Sequence, residues 1–340
     1  MSESDTLQHA RLATLKYLPT DKIDGFLRQH GDCVACLIGY GANPVAVMAT
    51  GHAVLWVDMP VFGSETAFEV WVTEKPVTRY QEGLMVGAFN EDIFFGSMSV
   101  RLDGAEDLSS AAQRAFTSIF DFLQSSEYPN LIRVWNYFPW INSVEDGLER
   151  YRSFSVGRHE AFVRGQKNVE DSPAACALGS YGGPLVIYFI AARLAGLQIE
   201  NPRQISAYSY PKQYGPRSPT FSRATMAFRD DPRVLFVSGT ASIIGHETVH
   251  HDSVGMQTRE TLANIRAVIE QAALKGFPKV NYAKDLALKV YVRHERDIPV
   301  VMDIVREEYG HISEVLALQA DICRTDLLVE IEAVCWSGVQ

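Results

Sequence analysis

The chain repeats one order of elements, and that repeat limits the folds open to it. Asp92-Ile93-Phe94-Phe95-Gly96-Ser97 aligns with Leu235-Phe236-Val237-Ser238-Gly239-Thr240, so that Gly96 falls on Gly239, 143 residues later. The same offset carries Val186 to Val329 and Ile190 to Ala333 in the runs that close the two copies. Between these anchors, Leu108 to Leu123 sets Ala112, Phe116, Ile119, Phe120 and Leu123 on one helical face, and Thr258 to Ala273 does likewise with Leu262, Ile265, Ile269 and Ala272. Strands follow at Leu131 to Tyr137 and Leu288 to Arg293. In the second of these, Leu288, Val290 and Val292 alternate with Lys289, Tyr291 and Arg293, the period of a strand with one wet face. Further helices, about Gly147 to Phe162 and Ile298 to Tyr309, and a closing strand complete each copy. Such elements bury their apolar faces as a sheet with helices on one face. The expected fold class is therefore α+β, with two such units side by side as a pseudo-dimer.

The copies differ where they close. Pro184-Leu185-Val186-Ile187-Tyr188-Phe189-Ile190-Ala191 holds no acid, whereas Leu327-Leu328-Val329-Glu330-Ile331-Glu332-Ala333-Val334 places two carboxylates in a strand that should be buried. This asymmetry points to a duplicated scaffold in which one copy kept a chemical group. Alternation puts Glu330 and Glu332 on the same face, so either they share a proton or Glu332 pairs with a cation.

With 340 residues the chain has room for two domains. The boundaries are expected at 1–200 and 220–340, joined by a linker over 201–219 that holds four prolines and three tyrosines. Roughly ninety residues precede the first unit, with strands at Thr66 to Val72 and Leu84 to Phe89 that extend its sheet or cover it. The formal charge of −10 disfavours nucleic acid and anionic membranes as general partners, and any anionic ligand must be met by a local cluster of arginines. The longest apolar run, Pro184 to Ala192, stops at Arg193 and is too short to span a bilayer, and Met1-Ser2-Glu3-Ser4-Asp5 leads into no apolar signal core. A soluble, cytoplasmic protein is expected. Five cysteines suit a reducing compartment; Cys33 and Cys36 form a Cys-x-x-Cys without a second pair, and read as small buried hydrophobes.

His246-Glu247-Thr248-Val249-His250 satisfies the zinc motif His-Glu-x-x-His, with His251 beside it. That chemistry needs a helix, so that both histidines share a face. Here the motif directly follows a strand and Gly245, and Asp252, Ser253 and Gly255 follow. It reads as a loop, with His246 at most a hydrogen-bonding group, and no metal or organic cofactor is expected.

From Phe221 to the C-terminus, the order Phe236-Val237-Ser238-Gly239, the helix through Leu262 and Ile265, Leu288 to Val292 and Val329-Glu330-Ile331-Glu332-Ala333 resembles the RidA/YjgF fold, whose last strand reads Val-Glu-Ile-Glu-Ala. Most of the chain, through Arg133-Val134-Trp135-Asn136-Tyr137-Phe138-Pro139-Trp140, Tyr151-Arg152-x-Phe154, Tyr210-Pro211-x-x-Tyr214-Gly215-Pro216 and Phe221-Ser222-Arg223, resembles the chorismatases, which remove pyruvate from chorismate. The resemblance implies that Glu330 is the acid. It also separates subgroups. Members that stop at a cyclohexadienediol carry alanine in Ser-x-Thr-Ala-Ser, while those that form a hydroxybenzoate carry glycine there and a cysteine seven residues before the acid. This chain has Gly239 and Cys323, which implies a hydroxybenzoate, the 3-isomer favoured.

The implied chemistry matches the residue types. Cleaving an enolpyruvyl ether needs a proton on its terminal methylene carbon, and a buried glutamate can hold that proton near neutral pH. Two substrate carboxylates call for guanidinium partners, for which Arg133, Arg152, Arg158 and Arg223 are candidates, with Tyr137, Tyr151 and Tyr214 as hydroxyl donors. Gly239 is expected to leave room for the ring. Cys323 is expected to keep water from the oxocarbenium ion, so that the substrate's 4-hydroxyl expels pyruvate. The alternatives are a diol-forming hydrolase or a 4-hydroxybenzoate-forming relative, a RidA-like imine deaminase, and a non-catalytic ligand-binding module. The expected partner is small-molecule chorismate, and the expected state is a monomer or small homo-oligomer.

Overall fold

The computed structural model describes residues 12–41, 52–102 and 106–337. The reading of Met1 to Asp5 lies outside them. Two six-stranded sheets form its frame. The first is built from β5 (Thr78–Glu82), β6 (Met85–Phe89), β7 (Ile93–Val100), β8 (Asn130–Pro139), a two-stranded ribbon of β9 (Val144–Glu145) and β10 (Leu148–Glu149) at its margin, β11 (Ala174–Ser180) and β12 (Leu185–Ala192), with helices α2 (Leu108–Ser125) and α3 (Arg150–Arg164). They follow a unit made of β1 (Thr14–Pro19), α1 (Thr20–His30), β2 (Val34–Tyr40), β3 (Leu55–Val57) and β4 (Ala67–Val72). The last unit holds β13 (Leu197–Ile199), β14 (Ala224–Ala227), β15 (Val234–Ala241), the hairpin β16 (Ile243–Ile244) and β17 (Glu247–Thr248), α4 (Val254–Leu274), α5 (Tyr282–Asp285), β18 (Leu286–Val292), α6 (Ile298–Tyr309), β19 (Glu314–Gln319) and β20 (Val329–Trp336).

The two large sheets run β11-β8-β12-β7-β6-β5 and β19-β18-β20-β15-β14-β13, the same order element for element. In both, one pair is parallel, β11 with β8 and β19 with β18, and the closing strand sits antiparallel between its neighbours. This is the α+β repeat expected from the sequence. Because β13 pairs with β14, the last sheet takes its first strand from before the proline-rich segment 201–219.

The N-terminal strands have the same plan in reduced form. Their order is β1-β4-β2-β3, with β2 and β3 parallel and β4 antiparallel between β1 and β2. Strand, helix, strand, parallel strand and closing strand therefore occur three times. Of the two strands picked out ahead of the first repeat, Met85–Phe89 extends its sheet, and Ala67–Val72 belongs to the covering third unit.

Each large sheet buries one face under its helices. Phe116, Ile119 and Leu123 of α2 pack with Phe94, Val134 and Phe189, while Leu262, Ile265 and Ile269 of α4 pack with Val237, Val290 and Ile331. Asp107 caps α2 by accepting from the Ser110 amide, which satisfies an otherwise orphaned donor. The opposite faces of all three sheets meet in one central core containing Trp71, Phe95, Trp135, Tyr188 and Phe236. The face of β18 expected to be wet is part of that junction: Lys289 and Tyr291 are buried. Alternation separates two faces, and here the polar one is covered by another sheet.

Register corrects one detail of the repeat. Val186 lies in the central core but Val329 faces the helices, so the residue sharing Val186's position is Glu330, one step beyond the offset of 143. The ladder between β15 and β20 slips between Val237 and Thr240, a bulge that places one extra residue on β15. The offset pairs Val186 and Ile190 with Val329 and Ala333, all apolar, so the residue types at those positions could not reveal the slip. No helix among the described residues is long and apolar enough to cross a membrane.

Candidate active site

Where β11 of the middle unit meets β15 of the last, a cavity of about 300 Å³ opens. Its floor is Glu330 on β20, with Gly239 on β15 and Cys176 on β11. Burial raises the Glu330 carboxyl to about 8, and the nearby charge of Glu332 adds to this against the opposing pull of Arg133 and Arg223. The group is 4% exposed and so holds its proton near neutral pH.

Glu332 behaves differently although it stands two residues away on the same face. Arg133 donates to one of its oxygens at 2.5 Å, and Lys289 at 2.8 Å and the Trp135 indole at 2.9 Å reach the other. Those cations hold its carboxyl below the usual range despite burial. Of the two arrangements left open for the pair, the cation-paired one is present. The two environments push adjacent carboxyls apart, one acid and one anion.

Two deep cations of the cavity wall form no ion pair among the described residues. Arg158 of α3 is 4% exposed and stacks on Phe116 at 4.8 Å, and its Nε and Nη2 find no hydrogen-bond partner among the described residues. Burial pulls it down to about 10, which still leaves it charged at neutral pH. Arg223 donates to the Ile205 carbonyl at 2.7 Å and to the Tyr210 hydroxyl at 2.8 Å, both neutral, and its Nε is likewise unpartnered among the described residues. Glu200 lies within Coulombic reach of Arg223, but neither guanidinium forms an ion pair among the described residues, and a carboxylate ligand would offset the cost of burying them.

At the mouth, Arg324 stacks on Tyr214 at 4.1 Å and donates to the His246 carbonyl at 2.9 Å. Tyr214 shares a 3.1 Å hydrogen bond with His246 Nδ1. Arg152 pairs with Glu149 at 3.1 Å and packs against Gly215, so the proline-rich segment forms one wall of the entrance. The segment around His246 to His250 is the hairpin β16 and β17 followed by a turn, not a helix, as its position ahead of Ser253 implied.

Of the candidates read from sequence, Glu330, Cys323, Tyr151, Arg152, Arg158, Tyr214, Arg223 and Gly239 line this one cavity. Arg133 and Tyr137 do not. They face the central core behind Glu330, where Arg133 holds Glu332 and the Tyr137 hydroxyl lies 2.7 Å from that of Tyr291. Cys323 is half-buried, and desolvation pushes its thiol up to about 12, which removes it as a thiolate nucleophile and leaves it as a wall. Gly239 also bears on the acid. A Cβ there would sit 1.9 Å from Glu330 Oε1, so the missing side chain makes room for the acid itself.

Sequence reasoning passed over Arg324, Glu149 and Cys176. Arg324 adjoins Cys323 and was within reach of the same argument; Glu149 and Cys176 enter through pairings that only the fold reveals. A protonated acid beneath two guanidiniums that form no ion pair among the described residues suits the protonation of an electron-rich centre of a small dianion.

Residues 69–191 match the family model described as "Chorismatase FkbO/Hyg5-like, N-terminal". A chorismatase of Streptomyces rapamycinicus is 43% identical over 278 residues, covering 79% of this chain and 82% of that protein. A 3-hydroxybenzoate synthase of Streptomyces hygroscopicus is 38% identical over 293 residues, covering 84% and 86%. A solved chorismatase structure superposes with a TM-score of 0.86 at 34% identity, covering 96% of this chain and 99% of that one.

Proposed function

This chain belongs to the chorismatase family, and from that premise we propose that it releases pyruvate from chorismate and leaves 3-hydroxybenzoate, with Glu330 as the acid. The observation that carries this reading is a carboxyl raised to about 8 at the floor of a cavity whose buried Arg158 and Arg223 form no ion pair among the described residues. Arg158 and Arg223 take the two substrate carboxylates, while Arg152, Tyr151 and Tyr214 line the approach.

Glu330 gives its proton to the terminal methylene of the enolpyruvyl group, and positive charge develops on the adjacent ether carbon, facing the new carboxylate. The substrate's 4-hydroxyl then attacks ring carbon 3. The carbon–oxygen bond to the side chain breaks, pyruvate departs with the ether oxygen, and the hydroxyl proton returns to Glu330. The resulting epoxide opens at carbon 4, and loss of the carbon 3 hydrogen gives the aromatic ring. All ten carbons of chorismate are accounted for and no water is consumed. Cys323, an un-ionised thiol in the wall, keeps water from the cation, which would otherwise divert it to the diol.

Incubation with chorismate should yield pyruvate and 3-hydroxybenzoate in equal amounts by chromatography. Glu330→Gln should lower kcat by about 10³-fold or more with the fold intact. A diol or a 4-hydroxybenzoate as main product would overturn the assignment of product, and an active Glu330→Gln that of the acid.

A further inference from the structure

Behind Glu330, the three closing strands meet in a buried network that crosses all three units. Lys289 of β18 lies 2.6 Å from Glu69 of β4 and 2.8 Å from Glu332 of β20, and it donates to the Tyr188 hydroxyl at 3.0 Å. Glu69 also accepts from the Trp71 indole at 2.7 Å and the Tyr40 hydroxyl at 2.8 Å. Arg133 closes the set at Glu332. Glu69 and Lys289 are 0% and 1% exposed, so solvent does not screen them.

Glu69 touches neither the cavity nor Glu330, yet the unit that supplies it completes the charge balance beside the acid: two carboxylates against two cations. We propose that Glu69 and Lys289 are positioning residues for the acid, acting through Glu332 to fix the charge beside Glu330 and hence the pH up to which it stays protonated. This rests on the reading of Glu330 as the acid. Toward the network Glu330 is also faced by Arg133 of β8 and by Tyr291, its cross-strand neighbour on β18. Toward the cavity it meets Arg223, Cys176, Cys323 and Tyr151, with Arg158 across the space. None of these side chains is replaced in variants at Glu69 or Lys289, so the charge that changes is the network's own.

The experiment is the pH dependence of kcat/KM for pyruvate release, whose alkaline midpoint reports the free enzyme's acid. Glu69→Gln removes one negative charge and leaves an excess cation, so the midpoint should fall by about half a pH unit or more. Adding Lys289→Met removes that cation and should bring the midpoint back to within about 0.2 unit of the native value, although more contacts are lost. A folded Glu69→Gln with an unmoved midpoint overturns the proposal, as does a double variant lower than the single one. Should Glu69→Gln not fold, Lys289→Met alone decides: a raised midpoint supports the proposal, and an unchanged or lowered one overturns it. Glu330→Gln in the same assay separates the two readings. If it stays active the acid is misassigned, whereas an inactive Glu330→Gln with an unresponsive Glu69→Gln rejects only the network.

Discussion

At the scale of single residues, one strand holds two glutamates in opposite charge states, and the difference carries a thermodynamic signature. The folded protein keeps a proton on Glu330 that the unfolded chain loses at its ordinary value of 4.5. Between about pH 4.5 and 8 the fold therefore binds more protons than the unfolded state, and stability falls as pH rises through that window. Glu330→Gln abolishes this term. Its stability relative to the native protein should rise by a few kcal/mol from pH 5 to pH 8.5, read by urea denaturation at the two values. Equal pH profiles for the two proteins would mean that the acid titrates normally. Gly239→Ala tests the neighbouring contact. Its methyl group overlaps the Glu330 carboxyl, so kcat should drop on the order of 10²-fold as the acid is displaced, and a crystal structure of the variant should show the carboxyl moved. For Cys323, replacement by alanine opens the wall to water and should raise the diol at the expense of hydroxybenzoate; an unchanged product ratio would discount the water-excluding role.

At the scale of elements, α2 and α3 cross so closely that a Cβ on Gly157 would lie 1.9 Å from the Ser109 carbonyl oxygen. Arg158 is the next residue on α3, so the crossing sets the depth of a cavity cation. Gly157→Ala should force the helices apart, costing about 1–3 kcal/mol in denaturant melts and raising KM for chorismate more than it lowers kcat. A stable variant with native KM would show that α3 can shift without moving the guanidinium. Elements of this kind were the most legible part of the sequence. The periodic faces at Phe116 and Leu262 reported buried helices correctly because 3.6-residue spacing survives any tertiary setting, and Ile298 to Tyr309 is the observed α6. What misled was polarity without context. Lys289 and Tyr291 alternate with apolar residues as a solvent face would, and only the packing of a second sheet distinguishes a wet face from a buried network. The phase of β20 escaped for a related reason, since Val186 and Ile190 match Val329 and Ala333 in residue type, and only the packing shows that the two pairs face opposite sides of their sheets.

At the scale of the molecule, the cavity over Glu330 belongs to no single unit. Glu330 and Gly239 come from the last unit, Arg158 and Cys176 from the middle one, and the charge behind the acid is completed from the first. That first unit was legible only as a few stray strands, because its kinship lies in strand order, not in residues. Ala67 of β4 occupies the place that Val186 and Glu330 hold in the other closing strands, opposite Tyr40, Tyr137 and Tyr291 in turn. Three tyrosines at one register position thus converge at the centre, with hydroxyls 3.4 Å apart between Tyr40 and Tyr137 and 2.7 Å between Tyr137 and Tyr291. The last unit cut free at 196–340 would expose the sheet face bearing Val334 and Trp336, and leave Glu332 without Arg133 and Lys289 without Glu69. An exposed apolar sheet face whose Lys289–Glu332 pair has lost its other partners should drive that fragment into aggregates or self-association, with no pyruvate released from chorismate. Size-exclusion chromatography and the pyruvate assay check this together. A monomeric fragment that turns over chorismate would locate every determinant of the acid within one unit and overturn the shared construction of the site.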